Sequence, residues 1–215
     1  MMMEPVVLEG FEVPIDSAEV RRFLGAKGRS KPAPAGRYDD ILGEAMAAAG
    51  RLMAPKAIYL YAAGSELPGS KIFAHLDRMA FCVCTIGPAL EAEVTRLSAT
   101  GELLKAVVLD AIGSVAAEAA ASYVDDRIAA EAAREGLKTS CRASPGYGDW
   151  DVREQGAIFE LIPAGRIGVS LSDTFMMMPR KSVSFAVHVA AEPERLRSEN
   201  SCENCGKRDC RYRLE

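Results

Sequence analysis

From Leu103 to about Ala133 apolar residues recur at steps of three and four: Leu104, Val107, Val108, Ala111, Ile112, Val115, Ala119 and Tyr123. That spacing predicts one long helix with a single apolar stripe. Its many alanines and Gly113 keep the stripe narrow, so a neighbour is expected to pack close to the helix backbone. Upstream, "KAIYLYA" and "RMAFCVCTIG" are rich in β-branched and aromatic residues and predict strands. Shorter helices are expected at "DSAEVRRFLG", capped by Asp16 or Ser17 and stopped by Gly25, and from Ala89 to about Leu97. Two more are expected at "YDDILGEAMAAAGRLM", with Ile41, Leu42, Met46 and Ala49 on one face, and at "VREQGAIFELI". Residues 5–14 have strand-like character with a glycine turn, and "GRSKPAPAGR" (28–37) predicts an exposed loop. "RIGVSLSDTFMMMP" and "KSVSFAVHVA" predict strands; in the second, Ser182, Ser184 and Ala186 alternate against Val183, Phe185 and Val187. Helices and strands mix without a regular βαβ rhythm. The expected fold is therefore α+β, a mainly antiparallel twisted sheet flanked by helices, one of them long and Ala-rich.

Composition narrows the function classes. The 215 residues suit one large domain, 49% of them are apolar and 26% charged, and the formal net charge is −4. An acidic balance argues against nonspecific binding of nucleic acid or of acidic membranes. No stretch reaches the roughly 20 apolar residues of a spanning helix. "MMMEPVVLEG" has no basic region and is interrupted by Glu4 and Pro5, unlike a signal peptide, so a cytoplasmic protein is expected. The six cysteines agree, because three cluster as Cys202, Cys205 and Cys210 and two as Cys82 and Cys84, unlike a secreted disulfide framework. Only His75 and His188 are present, which leaves little room for a His-rich metal site or a Ser-His-Asp machine.

Candidate chemistry concentrates in "RASPGYGDW" (142–150). Pro145 pushes Ser144 out of the helical region and Gly146 permits a turn closed to other residues. Such a loop presents backbone polar groups beside the permanent cation of Arg142 and the flat ring of Tyr147. That set suits a ligand with a carboxylate and a planar ring. The plainer alternative is a structural turn whose Arg pairs with Asp149 or Asp151. Glu118 falls near the edge of the long helix's stripe, where periodicity alone expects a solvated carboxylate. "CENCGKRDC" spaces Cys202, Cys205 and Cys210 as C-x2-C-x4-C. These are three potential ligands for zinc or an iron–sulfur cluster, completed by Cys141, His188 or a cysteine of the 82/84 pair; the alternative is a reduced tail without metal. Cys82 and Cys84, two apart on a strand, face one side and are expected in the core. His188 is expected at the core or sheet edge. Of the three methionines, either Met176 and Met178 or Met177 should face inward.

"RASPGYGDWDVREQGAIFELI" followed by "RIGVSLSDTFMMMPRKSVSFAV" resembles the C-terminal activation domain of cobalamin-dependent methionine synthase. "CTIGPALEAEV" and "AIGSVAAEAAASYVDDR" fit the same pattern, so the resemblance spans roughly residues 78 to 190. It divides the chain into an activation-like domain at 1–190 and a Cys-containing tail at 191–215, and resembles the stand-alone form of the family. The resemblance implies a module that binds S-adenosylmethionine and supports reductive remethylation of cob(II)alamin. The cobalamin would be held by a partner, a methionine synthase subunit or another corrinoid protein. It implies that Arg142 takes the ligand's carboxylate, that the backbone around Ser144 and Gly146 meets the adenine, and that Tyr147 lies towards the corrin. Glu118 would meet the ligand's cationic end. A cluster in the tail could deliver the electron. The competing expectations are a corrinoid-binding or chaperone subunit without S-adenosylmethionine binding, and a zinc-stabilised structural protein.

Overall fold

The structure, a computed structural model, describes residues 4–24 and 37–196. In chain order its regular elements are β1 (Val6–Glu9), α1 (Ser17–Phe23), α2 (Arg37–Leu52), β2 (Lys56–Ala62), β3 (Met79–Thr85), α3 (Ala89–Ala99), α4 (Leu103–Arg134) and β4 (Lys138–Thr139). There follow α5 (Gln155–Leu161), β5 (Ser170–Leu171), β6 (Met177–Met178) and β7 (Ser182–Ala190). Five strands form one antiparallel sheet in the order β1-β2-β3-β7-β4, and β5 and β6 form a separate two-stranded ribbon. The protein is α+β, as its mixed periodicities predict. The expected Gly25 stop, most of the 28–37 loop and the Cys202, Cys205 and Cys210 tail lie outside the described residues.

Both faces of the sheet are covered, which explains why β2 and β3 read as nearly unbroken apolar runs. Ala57, Tyr59, Tyr61, Ala80, Cys82, Cys84, Phe185 and Val187 point into a core shared with α1, α2, α3 and α4. Ile58, Leu60, Met79, Phe81, Val83 and Ala186 point the other way, into a core with α5, Phe73 and Trp150. Cys82 and Cys84 are therefore core residues, as expected. Burial first, then contact with Cys84, pushes the Cys82 thiol well above its ordinary range.

The long helix forms, but its buried stripe is not the expected one. Val108, Ala111 and Ile112 are buried, whereas Leu104, Val107 and Tyr123 are exposed. The buried line instead continues through Leu109, Ala116, Ala120, Val124, Ile128 and Ala132. It is turned by roughly one residue's rotation from the expected line. The cause is that α4 has several apolar flanks: it packs on β3 and β7 beneath and against α1, α2 and α3 alongside. Close approach at Gly113 is as expected, since an added Cβ there would fall 2.7 Å from Leu90 Cδ2 and 3.2 Å from Lys181 Cε. Lys181 in turn reaches Asp110 at 2.7 Å and Ser114 at 2.8 Å, so it locks β7's entrance to α4.

Two further expectations change. "RIGVSLSDTFMMMP" is not one strand: a 3-10 turn (Ala164–Ile167) ends at left-handed Gly168, and the rest folds back as the β5–β6 ribbon. The turn between them is closed by Ser172 N–H to Met176 O and by Ser172 Oγ accepting from Met176 N–H, which Asp173 and Thr174 tolerate and a continuous strand would not supply. Met177 faces inward, while Met176 and Met178 are exposed. "VREQGAIFELI" begins as a 3-10 turn (Val152–Glu154), capped by Asp151 accepting from Arg153 N–H, before α5 proper. Asp16 caps α1 by accepting from Ala18 N–H.

One partly buried polar cluster ties α4 to β2. Tyr59 and Tyr61 donate to the two oxygens of Glu131 at 2.8 and 3.1 Å, and Arg127 donates to Glu131 at 2.8 Å. Burial, then the Glu131 carboxylate, raises both phenols well above their ordinary range, so they stay protonated donors. Burial pushes the Glu131 carboxyl up, but the bonds from Arg127, Tyr59 and Tyr61 together outweigh it and hold the carboxyl below its ordinary value. A depressed carboxyl stabilises the fold fully above the unfolded-state value of about 4.3, and the contribution is lost as pH falls through the lower folded-state value. Glu131→Gln is expected to cost about 1–2 kcal/mol at neutral pH. The gap from wild type should close as the pH approaches the acid limb in thermal melts; a gap that is constant with pH would contradict this origin.

Candidate functional site

Arg142 is placed by the sheet. Its neighbour Ala143 forms a two-way bridge to Ala186 of β7, with N–H···O distances of 2.9 and 2.8 Å. This lays the Arg142 guanidinium over the Phe185 ring, 5.5 Å from its centroid. The chain then turns away. Tyr147 N–H donates to Ser144 O, Trp150 N–H to Tyr147 O, and Gly146 N–H to Trp150 O at 2.7 Å. Gly146 has φ +91°, the left-handed region that this double turn requires. Ser144 is buried, Tyr147 is 53% exposed, and Trp150 is driven into the core with its ring edge-on to Phe73 at 4.8 Å. The two aromatics of the loop thus have opposite fates: Trp150 anchors it and Tyr147 is presented outward.

The guanidinium lies between two carboxylates of α4. Nη2 is 3.4 Å from Glu118 Oε2, and Nε is 3.8 Å from Asp125 Oδ2. Both are longer than the roughly 2.7–2.9 Å of a tight charge-assisted hydrogen bond. Arg142 Nη1 and Asp125 Oδ1 are buried and make no hydrogen bond among the described residues. An under-used cation beside a half-used carboxylate is costly unless something else completes it. Burial raises the Asp125 carboxyl, Arg142 opposes that shift, and neighbouring Asp126 adds to it. The turn therefore supplies a held, unsaturated guanidinium and an exposed ring, and α4 supplies two carboxylates beside the guanidinium. Chemically it can take an anion at Arg142 and a cation at Glu118 and Asp125.

Residues 71–196 match the family model described as the activation domain of vitamin B12 dependent methionine synthase. The chain belongs to that family. The match includes the whole Arg142–Trp150 turn, α4, α5 and β7 of this activation domain, and it reaches beyond the span expected from its motifs at both ends. A solved structure, the MetH reactivation domain bound to AdoHcy, is similar to it with a TM-score of 0.63, at 15% identity, over 89% of this chain and 80% of that one. At that identity the likeness speaks for the fold. No curated protein matches the chain.

Within the activation domain the structure brings Arg142 and Glu118 together and sets Ser144, Gly146 and Tyr147 on the same turn. Glu118 is 60% exposed by side chain, as periodicity alone expects, and it lies beside Arg142. Among the described residues Arg142 pairs with neither Asp149 nor Asp151; Asp151 is occupied as a helix cap. Asp125 was not anticipated. Its signal was present, because seven residues is close to two helical turns and puts Asp125 on the same face as Glu118. Cys141 is exposed next to Arg142, and His188 is half-buried on β7, its Nδ1 accepting from Glu194 N–H at 2.8 Å. Among the described residues no three His, Cys, Asp or Glu side chains are arranged to hold a metal ion, and no helix is long and apolar enough to cross a membrane.

Proposed function

We propose that this chain is a stand-alone S-adenosylmethionine-binding module that supports remethylation of inactive cob(II)alamin on a partner, a methionine synthase subunit or related corrinoid methyltransferase. The observation that carries the reading is the Arg142 guanidinium, fixed by β7 between Glu118 and Asp125 with Nη1 unpartnered. Arg142 takes the carboxylate of S-adenosylmethionine, and Glu118 faces its cationic end. The Gly146 and Tyr147 N–H groups are committed inside the turn, so the adenine's amine would meet carbonyl oxygen there. Tyr147 is exposed on the turn, and the exposed Val152 lies beside Gly146, so the turn offers apolar surface to a flat partner.

The reaction needs no acid or base from this chain. An external donor would supply the one electron that takes the partner's cob(II)alamin to the cob(I) level. The methyl of the S-adenosylmethionine held by Arg142 and Glu118 would pass to cobalt as its C–S bond breaks, with S-adenosylhomocysteine leaving as a neutral thioether. This chain's share is to hold the methyl in line and to keep water out. Cys202, Cys205 and Cys210 are the proposed metal or cluster ligands of the tail. Iron content and charge-transfer absorbance of an anaerobically purified sample decide whether the tail is the electron source.

The deciding experiment mixes cob(II)alamin-loaded partner with this protein, a reductant and S-adenosylmethionine. Methylcobalamin bands are expected in the visible spectrum, and only when all components are present. Bands that form equally well without this chain overturn the reading. Binding to the corrinoid protein with no calorimetric signal for S-adenosylmethionine would indicate a chaperone subunit instead.

A further inference from the structure

We infer that Asp125 is the residue that makes this site prefer the charged methyl donor over its spent product, an inference that rests on the reading just given. The net charge of the cluster carries the argument. Arg142 contributes one cation and Glu118 and Asp125 two carboxylates, so the three together hold a single excess negative charge. S-adenosylmethionine has a carboxylate, an ammonium and a sulfonium, and is a net monocation. After methyl transfer the sulfonium has become a neutral thioether, and S-adenosylhomocysteine carries no net charge. A site with only Arg142 and Glu118 would be neutral and would see both ligands nearly alike. The second carboxylate is what complements the additional positive charge and releases the product once that charge is gone.

Geometry separates Asp125 from a plain structural counterion. A structural partner would close a short, two-pronged bond on the guanidinium. Asp125 instead stands off at 3.8 Å through one oxygen, and its other oxygen is buried with no hydrogen bond. Its side chain is 27% exposed against 60% for Glu118, so its charge is less screened by water than that of Glu118. The charged and titratable groups that face it are Arg142, Asp126 and the protonated Cys82 thiol. Specificity here is electrostatic, acting on the ligand's total charge rather than on its shape.

The test is calorimetry of the whole chain with S-adenosylmethionine, S-adenosylhomocysteine, and the analogue in which an amine-bearing carbon replaces the sulfonium. Wild type is expected to bind the two cationic ligands about tenfold more tightly than S-adenosylhomocysteine, the size of one charge interaction in a partly screened site. Asp125→Asn should bring that ratio close to unity, mostly through lost affinity for the cations, and Asp125→Glu should restore part of it. In wild type the ratio should shrink as acid protonates Asp125, whose carboxyl burial has raised, and Asp125→Asn should lack that step. The wild-type titration needs no variant to fold. An unchanged ratio in Asp125→Asn, or equal loss of all three ligands, overturns the inference. Wild-type binding of all three with equal strength overturns it while leaving the proposed function standing; wild-type binding of none overturns both.

Discussion

Arg142→Ala is expected to weaken S-adenosylmethionine binding about a hundredfold, the largest single-residue effect on ligand affinity in this chain. Truncating one partner of a desolvated charge pair typically costs about 2–5 kcal/mol. Here the guanidinium is held in place before any ligand arrives, by the Ala143–Ala186 bridge and the Phe185 ring. Affinity is therefore not spent on ordering a long side chain. Arg142→Lys keeps the charge but loses the planar fork and the contact over Phe185, so only partial recovery is expected. The variant also has a signature in stability. Without its cation, Asp125 becomes a half-buried carboxylate beside Asp126 with nothing to oppose the effect of burial, and its carboxyl rises further. A raised carboxyl costs stability above its folded-state value and none below the unfolded one. The melting deficit of Arg142→Ala should therefore shrink on acidification. Calorimetry at neutral pH with melts across the acid range checks both parts, and unaltered ligand affinity would sink the site assignment.

The helix pattern, the antiparallel sheet and the Arg142–Trp150 turn could all be read from residue spacing, because each depends on local rules. The strands β2, β3 and β7 are strongly apolar and the α4 periodicity runs over many turns. What could not be read depends on what comes to lie beside what. The α4 stripe was misplaced because Leu104, Val107 and Tyr123 are as apolar as Leu109 and Val124, and only the arrangement of α1, α2 and α3 around the helix decides which set is covered. Tyr123, on the uncovered side, finds a different partner and stacks on Phe11 at 4.4 Å. The Glu131 clasp joins α4 to Tyr59 and Tyr61 across some seventy residues of chain, a distance over which spacing carries no information. At the site, Arg142 was legible as a candidate from its turn, and its local competitors Asp149 and Asp151 were reasonable partners on chain distance alone. The bridge to β7 turns Arg142 towards α4 and so selects Glu118 and Asp125 instead.

Trp150→Ala is expected to be the most destabilising of these substitutions, at about 3–5 kcal/mol. Trp150 is 1% exposed, and its ring fills the core beneath β2 and β3, edge-on to Phe73. Removing it leaves a cavity bounded by the β-sheet on one side, which has little freedom to collapse. In a protein of this size the melting temperature should fall by roughly 10 °C. Trp150→Phe should cost far less, because the indole Nε1 makes no hydrogen bond among the described residues and the smaller ring leaves no polar group stranded. The loss should extend to the proposed function, since the same residue closes the Arg142–Trp150 turn: its carbonyl accepts from Gly146 N–H and its N–H donates to Tyr147 O. Without the buried ring, nothing holds the end of that turn against the core, and Gly146 and Tyr147 lose their fixed positions relative to Arg142. S-adenosylmethionine affinity in Trp150→Ala should therefore drop even at temperatures where the chain remains folded, whereas Trp150→Phe should bind nearly as wild type. Circular dichroism melts combined with calorimetry well below the variant's midpoint separate the two effects. Full affinity in a folded Trp150→Ala would show that the turn is held by the Ala143 bridge alone.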